Sequence, residues 1–234
     1  MRLDLGAGRV AAGLLIGAAI VHAQAIADLG FTTRVSAGLA ALYAKKFGAE
    51  VPARIAPWVA VARELKAGEF ARKLESARGR EADALQAIND AINRRIRGIE
   101  DKLHWGVEDY WATPAESISS AGGDCEDYSI AKYYLLKELG VPIVRLRITY
   151  VRALNIGGAA HMVLAYYASP DAEPLILDNL DARVRGASDR SDLDPVYGFN
   201  DDEVQLVKTG QRGKAAEIRA WLVLQEHLVA ESRI

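Results

Sequence analysis

The chain has 234 residues, half of them hydrophobic, with 29 basic against 31 acidic side chains and a net charge of −2. That balance lacks the basic footprint of a nucleic-acid binder, so no nucleic-acid partner is expected. A single cysteine, Cys125, rules out an internal disulfide.

Residues 1–25 read as a secretory signal. Arg2 and Arg9 give a basic start, Val10 to Val21 is an uncharged apolar core too short to span a membrane comfortably, and Ala23-Gln24-Ala25 is a small-x-small cleavage site. Export to the periplasm follows, leaving 26–234 as a single domain of about 210 residues, large enough for a substantial core. Residues 34–48 and 54–75 are rich in helix formers, and Leu85, Ile88, Ile92, Ile96 and Ile99 advance by three or four to form an apolar stripe. Arg94, Arg95 and Arg97 beside it read as a solvated helix face. The aromatic run Trp105 to Trp111 reads as core packing or as a wall beside the segment that follows.

That segment, Gly122-Gly123-Asp124-Cys125-Glu126-Asp127-Tyr128, is the most informative in the chain. The glycines are expected to make a tight turn, and the spacing from Tyr128 to Leu139, stopped by Gly140-Val141-Pro142, predicts a helix with Cys125 in its first turn. Free N–H groups and the helix dipole favour a thiolate there. A free cysteine is more commonly a small buried apolar residue. In an exported protein, however, an unpaired thiol is an oxidation liability without a use, which favours a nucleophile.

Beyond residue 142 the period changes. Ile143 to Arg152, His161 to Ala168 and Leu175 to Leu180 read as strands, 181–203 as a long loop, Val204 to Lys208 as a last strand and 214–231 as a closing helix. The fold class is therefore α+β, with a helical N-terminal part and the Cys125 helix packed on an antiparallel sheet. Of the histidines after the signal, His104 lies in a polar-aromatic turn and His227 in the terminal helix, whereas His161 opens a strand. A hairpin from 161 to 178 would bring Asp178 beside it, so Cys125, His161 and Asp178 can serve as nucleophile, base and orienting acid.

Several motifs together resemble the bacterial transglutaminase-like cysteine proteinases. They are Trp105-Gly106, Asp109-Tyr110-Trp111-Ala112-Thr113-Pro114, Gly123 through Tyr128, Lys132-Tyr133, His161-Met162-Val163-Leu164 and Leu177-Asp178-Asn179. The resemblance covers about 85–208, while 26–80 carry little of it. It implies a papain/transglutaminase-like fold and a catalytic Cys125, His161 and Asp178. It also implies calcium held by Asp124 and Glu126, with Asp127 a third ligand in the same turn. Oxygen donors suit that ion, although six to eight are needed, and three acids beside a thiol would otherwise hold it protonated. Helix capping is the alternative role for these acids. The resemblance further implies a large cell-surface adhesin as substrate, control of biofilm attachment, and an inner-membrane cyclic di-GMP receptor that sequesters the protease. Acyl transfer to an amine and a non-catalytic binding module of the same fold are the rival readings.

Overall fold

A computed structural model describes residues 35–56, 69–77 and 81–234. The expected signal at 1–25 and most of the expected helix at 54–75 lie outside the described residues. Helix α1 (Ala37–Phe47) is capped by the Ser36 side chain, which accepts from the Leu39 N–H, and α2 (Glu69–Ala77) follows. Helix α3 (Glu81–Asn93) buries Leu85, Ile88 and Ile92 as the stripe predicts. Ile96 and Ile99 fall past its end, around the short strand β1 (Arg97–Gly98).

Next come a one-turn helix α4 (Asp101–His104), then α5 (Pro114–Ser120), begun by Pro114 and a Thr113–Glu116 capping box. Strand β2 (Gly122–Gly123) pairs in parallel with β1 and leads directly into α6 (Cys125–Glu138), whose side chains are nearly all buried from Glu126 to Leu136.

The sheet runs in the order β6-β5-β4-β3-β7-β8-β9, antiparallel throughout. Its strands are β3 (Leu146–Ala153), β4 (Ala159–Tyr166), β5 (Leu175–Leu177), β6 (Arg185–Gly186), β7 (Leu193–Phe199), β8 (Glu203–Leu206) and β9 (Arg212–Lys214). Helix α6 lies on β4 and β3. Alternation sends Met162, Leu164 and Tyr166 into the main core with α6, and Val163 and Ala165 into a smaller cluster with Val151 and Ile176. Helix α7 (Arg219–Glu231) closes the chain and adds Trp221, Leu224 and Leu228 to the main core. No helix among the described residues is long and apolar enough to cross a membrane.

Two expectations need correction. The stretch 181–203 is not a loop: it holds β6 and β7, and β7 is the partner of β3 near the middle of the sheet. Pro195 disguises it, yet the register shifts opposite Tyr150 and Val151, and such irregularities are where a strand accommodates a residue without an N–H. Nor do Gly122 and Gly123 make the turn. Ala121 takes the left-handed conformation (φ 55°), while the glycines are extended. They are small because a Cβ on Gly123 would stand 2.4 Å from Asp127 Oδ2, and one on Gly122 would stand 2.7 Å from His104 Cε1.

Candidate active site

Cys125 is the first residue of α6, as expected, and is half-buried. Its place is fixed by the β1–β2 pair, through Arg97 N–H to Ala121 O (3.1 Å) and Ile99 N–H to Gly123 O (3.0 Å). The sulfur receives the backbone N–H of Met162, which brings it to the start of β4, and its own S–H donates to Glu126 Oε2 at 3.1 Å. Burial, then the charge and hydrogen bond of Glu126, then Asp124, push the thiol far up from its ordinary range, against the opposing pull of the Met162 N–H. In this acid-rich turn burial and the neighbouring acids work against the helix dipole and favour the protonated thiol.

His161 stands next to Met162 and is buried. Its Nε2 lies 2.8 Å from Asp178 Oδ1, because β4 and β5 pair with Leu164 opposite Leu177 and the acid follows directly on β5. The expected hairpin therefore brings His161 and Asp178 together. Nε2–H donates to the carboxylate, leaving Nδ1 as the free ring nitrogen. The same Oδ1 accepts the Leu180 N–H at 3.0 Å, and Oδ2 accepts from Arg190 Nη2 at 2.7 Å. Burial alone would raise the Asp178 carboxyl, but the hydrogen bond and charge of His161, the Leu180 N–H and Arg190 outweigh it and hold it well below the carboxylate range. Sequence reasoning missed Arg190, whose buried guanidinium also binds Asp192 at 2.8 and 2.9 Å. The other histidines are engaged elsewhere: His104 Nε2 with Ser120 Oγ at 2.9 Å, His227 Nδ1 with the Tyr110 hydroxyl at 3.4 Å.

The acids beside Cys125 form a larger group than the one expected. Carboxylate oxygens of Asp101, Asp124 and Asp127 lie within 4.8 Å of one another, as do those of Asp101, Asp109 and Glu126. Asp124 and Glu126 also lie within 4.8 Å of each other and of the Cys125 sulfur, as expected, while Asp127 comes together with Asp124 through Asp101, missed from the sequence, which also meets Asp109 and Glu126. Asp124 occupies the N-cap position of α6 but makes no side-chain cap bond, while Glu126 and Asp127 stand in the first turn, where acids complement the helix dipole. Asp127 Oδ1 accepts the Ala112 N–H at 2.8 Å and Asp101 Oδ2 accepts the Tyr110 N–H. Their second oxygens, Asp127 Oδ2 and Asp101 Oδ1, are buried without a hydrogen-bond partner, and so is Asp124 Oδ1. Burial and mutual repulsion push Asp101 up to about 6 and Asp124 to about 8, and Glu126 and Asp127 are raised as well. Unpartnered, crowded, buried carboxylate oxygens are the donor set of a hard dication such as calcium, and these residues fit one.

Of the aromatic run, Trp111 packs into the core, stacked on Phe199 at 5.6 Å, while the half-buried Trp105 meets Tyr110 at 4.8 Å and Phe47 at 5.9 Å.

Residues 62–192 match the profile of a family described as bacterial transglutaminase-like cysteine proteinase. Among solved structures the chain is similar to EGTA-treated LapG of Legionella pneumophila, with 32% identity, a TM-score of 0.66 and coverage of 88% of this chain and 97% of that one. Calcium-bound LapG of the same organism is 33% identical with a TM-score of 0.65, covering 83% of this chain and 99% of that one. No curated protein sequence matches the chain.

Proposed function

The chain belongs to the bacterial transglutaminase-like cysteine proteinases, and from that premise we propose that it is a calcium-dependent cysteine endopeptidase working through Cys125, His161 and Asp178. The reading rests on one arrangement: His161 held at 2.8 Å by Asp178, next to the Met162 N–H that reaches the Cys125 sulfur.

Nδ1 of His161 takes the thiol proton, and Asp178 holds the ring in the tautomer that leaves Nδ1 free and steadies the imidazolium that forms. The sulfur attacks the scissile carbonyl carbon, and the Cys125 backbone N–H, unpaired at the helix start, faces the oxyanion. Imidazolium then protonates the departing amine, and water, deprotonated by the same nitrogen, releases the acyl group. Arg190 holds Asp178 from its other oxygen throughout.

Asp101, Asp124 and Asp127 would hold calcium, with Glu126 and Asp109 adjoining. Bound there, the ion offsets the acid charge that otherwise holds the thiol protonated. The LapG comparison structures, one calcium-bound and one EGTA-treated, support calcium as the ion. The basic start, short apolar core and small-x-small site of 1–25 support export to the periplasm, and the motif resemblance supports a large surface adhesin as substrate, control of biofilm attachment, and sequestration by an inner-membrane cyclic di-GMP receptor.

The test is incubation of the exported protein with a fragment of a large surface adhesin. Two product fragments should appear with calcium, none in EGTA, and readdition of calcium should restore cleavage where Mg²⁺ restores it poorly, because Mg²⁺ demands a tighter octahedral shell. Full cleavage by exhaustively metal-free protein would remove the calcium claim. A mass gain with added amine and no cleavage would make the enzyme an acyltransferase.

A further inference from the structure

Helix α6 packs on one face of the sheet, and the other face bounds a cavity of about 380 Å³, a volume within the range of small-molecule sites. Its apolar wall is the smaller cluster, in which Val151, Val163, Ala165 and Ile176 are buried. Gly198 of β7 lines it too, between Thr149 of β3 and Gln205 of β8. That glycine has no positive φ to explain it, and the first atom a Cβ there would meet is Thr149 Oγ1, at 3.2 Å. Glycine weakens the interior of a strand and often marks a place where a ligand comes close to the backbone.

The charged part of the wall is two arginines, and no acid lines the cavity. The Arg190 side chain is 1% exposed. Its Nε and Nη2 donate to Asp192 and Asp178, which leaves Nη1 buried without a hydrogen-bond partner. Arg147 pairs with Glu203 through Nη2, and its Nη1 is likewise buried and unpartnered. Buried donors of this kind are costly until an acceptor reaches them. The balance of charge decides which acceptor fits. Arg190 is already answered by two acids, and Arg147 by Glu203, which also meets Arg212. An entering carboxylate would be a third acid around Arg190 and would lose its hydration for little return. A carbonyl oxygen offers lone pairs without adding a charge.

We propose that this cavity binds a small uncharged apolar molecule bearing a carbonyl oxygen, an amide or an ester, whose oxygen accepts from Arg190 Nη1 while its apolar body lies on Val163, Ala165 and Ile176. The site is distinct from the reacting centre, since none of Cys125, His161 and Asp178 lines it. Arg190 joins the two, because its Nη2 holds Asp178 Oδ2 at 2.7 Å. An occupant that draws on Nη1 is therefore sensed at the carboxylate that holds His161. The binding stands apart from the protease reading, and only an effect of it on cleavage rests on that reading.

The test is a titration of methyl- and ¹⁵N-labelled full-length protein with hexanamide, hexanoate and hexylamine, which share a chain and differ in the head group. Hexanamide should shift the methyl resonances of Val163, Ala165 and Ile176 and the side-chain N–H of Arg190, and the shifts should saturate. Hexanoate should bind about tenfold more weakly, and hexylamine, which cannot accept from a guanidinium when protonated, should leave these resonances in place. Equal binding of all three, or no saturable shift with hexanamide, would overturn the proposal. Ala165→Leu fills the apolar wall and should weaken hexanamide binding about tenfold or more. Should the leucine unfold the sheet, Gly198→Ala narrows the same space by a single methyl group. Parent-like affinity in a folded, filled variant would put the molecule elsewhere and overturn the site. Cleavage of an adhesin fragment by protein that binds no hexanamide would likewise remove the site and leave the protease reading standing.

Discussion

Replacing Asp101 by asparagine should change stability in opposite directions with and without calcium. In the ion-free protein Asp101 is buried against Asp124, and its carboxyl is pushed from 3.8 to about 6 by burial and by its acidic neighbours. An acid raised in this way destabilises the fold most at pH above about 6, and the penalty fades as pH falls to 3.8 and is gone below it, where both states are protonated. A rise of that size corresponds to about 3 kcal/mol. Asparagine removes the charge, still accepts the Tyr110 N–H, and can turn its amide toward the unpartnered Asp124 Oδ1. Exchanging a charged acceptor for a neutral one gives back about 1 kcal/mol. The net gain is about 2 kcal/mol, or about 4–8 °C in melting temperature for a domain of this size. With calcium the sign reverses, because one charged donor of the shared set is gone and the ion-induced rise in melting temperature shrinks. Thermal melts at pH 7.5 and pH 4.5, each in EGTA and in excess calcium, read all four values. A variant destabilised equally in EGTA and in calcium would show that Asp101 is only a brace for the 101–110 turn, and the cation site would lose its shared ligand.

Cys125→Ala should abolish cleavage while hardly moving the melting temperature, since the side chain is small and half-buried; residual turnover by the purified variant would end the cysteine mechanism. Arg190→Met should leave Asp178 Oδ2 without its 2.7 Å partner, lower kcat by about tenfold or more, and slow alkylation of Cys125; parent-like alkylation would mean that His161 alone orients the acid. Gly123→Ala should weaken calcium binding and cleavage together, because its Cβ would stand 2.4 Å from Asp127 Oδ2 and force that side chain aside; calorimetry showing parent-like calcium affinity would contradict the placement of Asp127.

The parts of this fold legible in sequence are those whose signal is local. Leu85, Ile88 and Ile92 report their helix by spacing, and the hairpin that joins His161 to Asp178 follows from two apolar runs and a turn. Strand β7 is hidden because Asp194, Pro195 and Gly198 within it and the flanking Asp192 have loop chemistry. What makes it a strand is its partner β3, together with ring contacts such as Tyr150 on Tyr197 at 5.2 Å, and neither is a local property. Asp101 and Arg190 were missed for the same reason. Asp101 opens a one-turn helix far from Asp124 in sequence, and Arg190 looks like another loop arginine until the chain folds it beneath Asp178. The glycines of the Cys125 turn suggest a tight turn in sequence, since a close approach by a side chain leaves the same mark there as a positive φ.

The turn before α6 links the two halves of the site. Glu126 both belongs to the acid cluster and accepts the Cys125 S–H, so the proton that His161 must take is held on the acid side. His161 and Asp178 are meanwhile already paired, with Asp178 held well below the carboxylate range and no rearrangement needed to orient the ring. The base is thus built in advance, while the nucleophile's protonation answers to the charge on Asp124 and Glu126. On the proposed mechanism, that asymmetry gives a physical reason for a cation among these acids: neutralising them would act on the thiol, the one proposed triad member left unprepared.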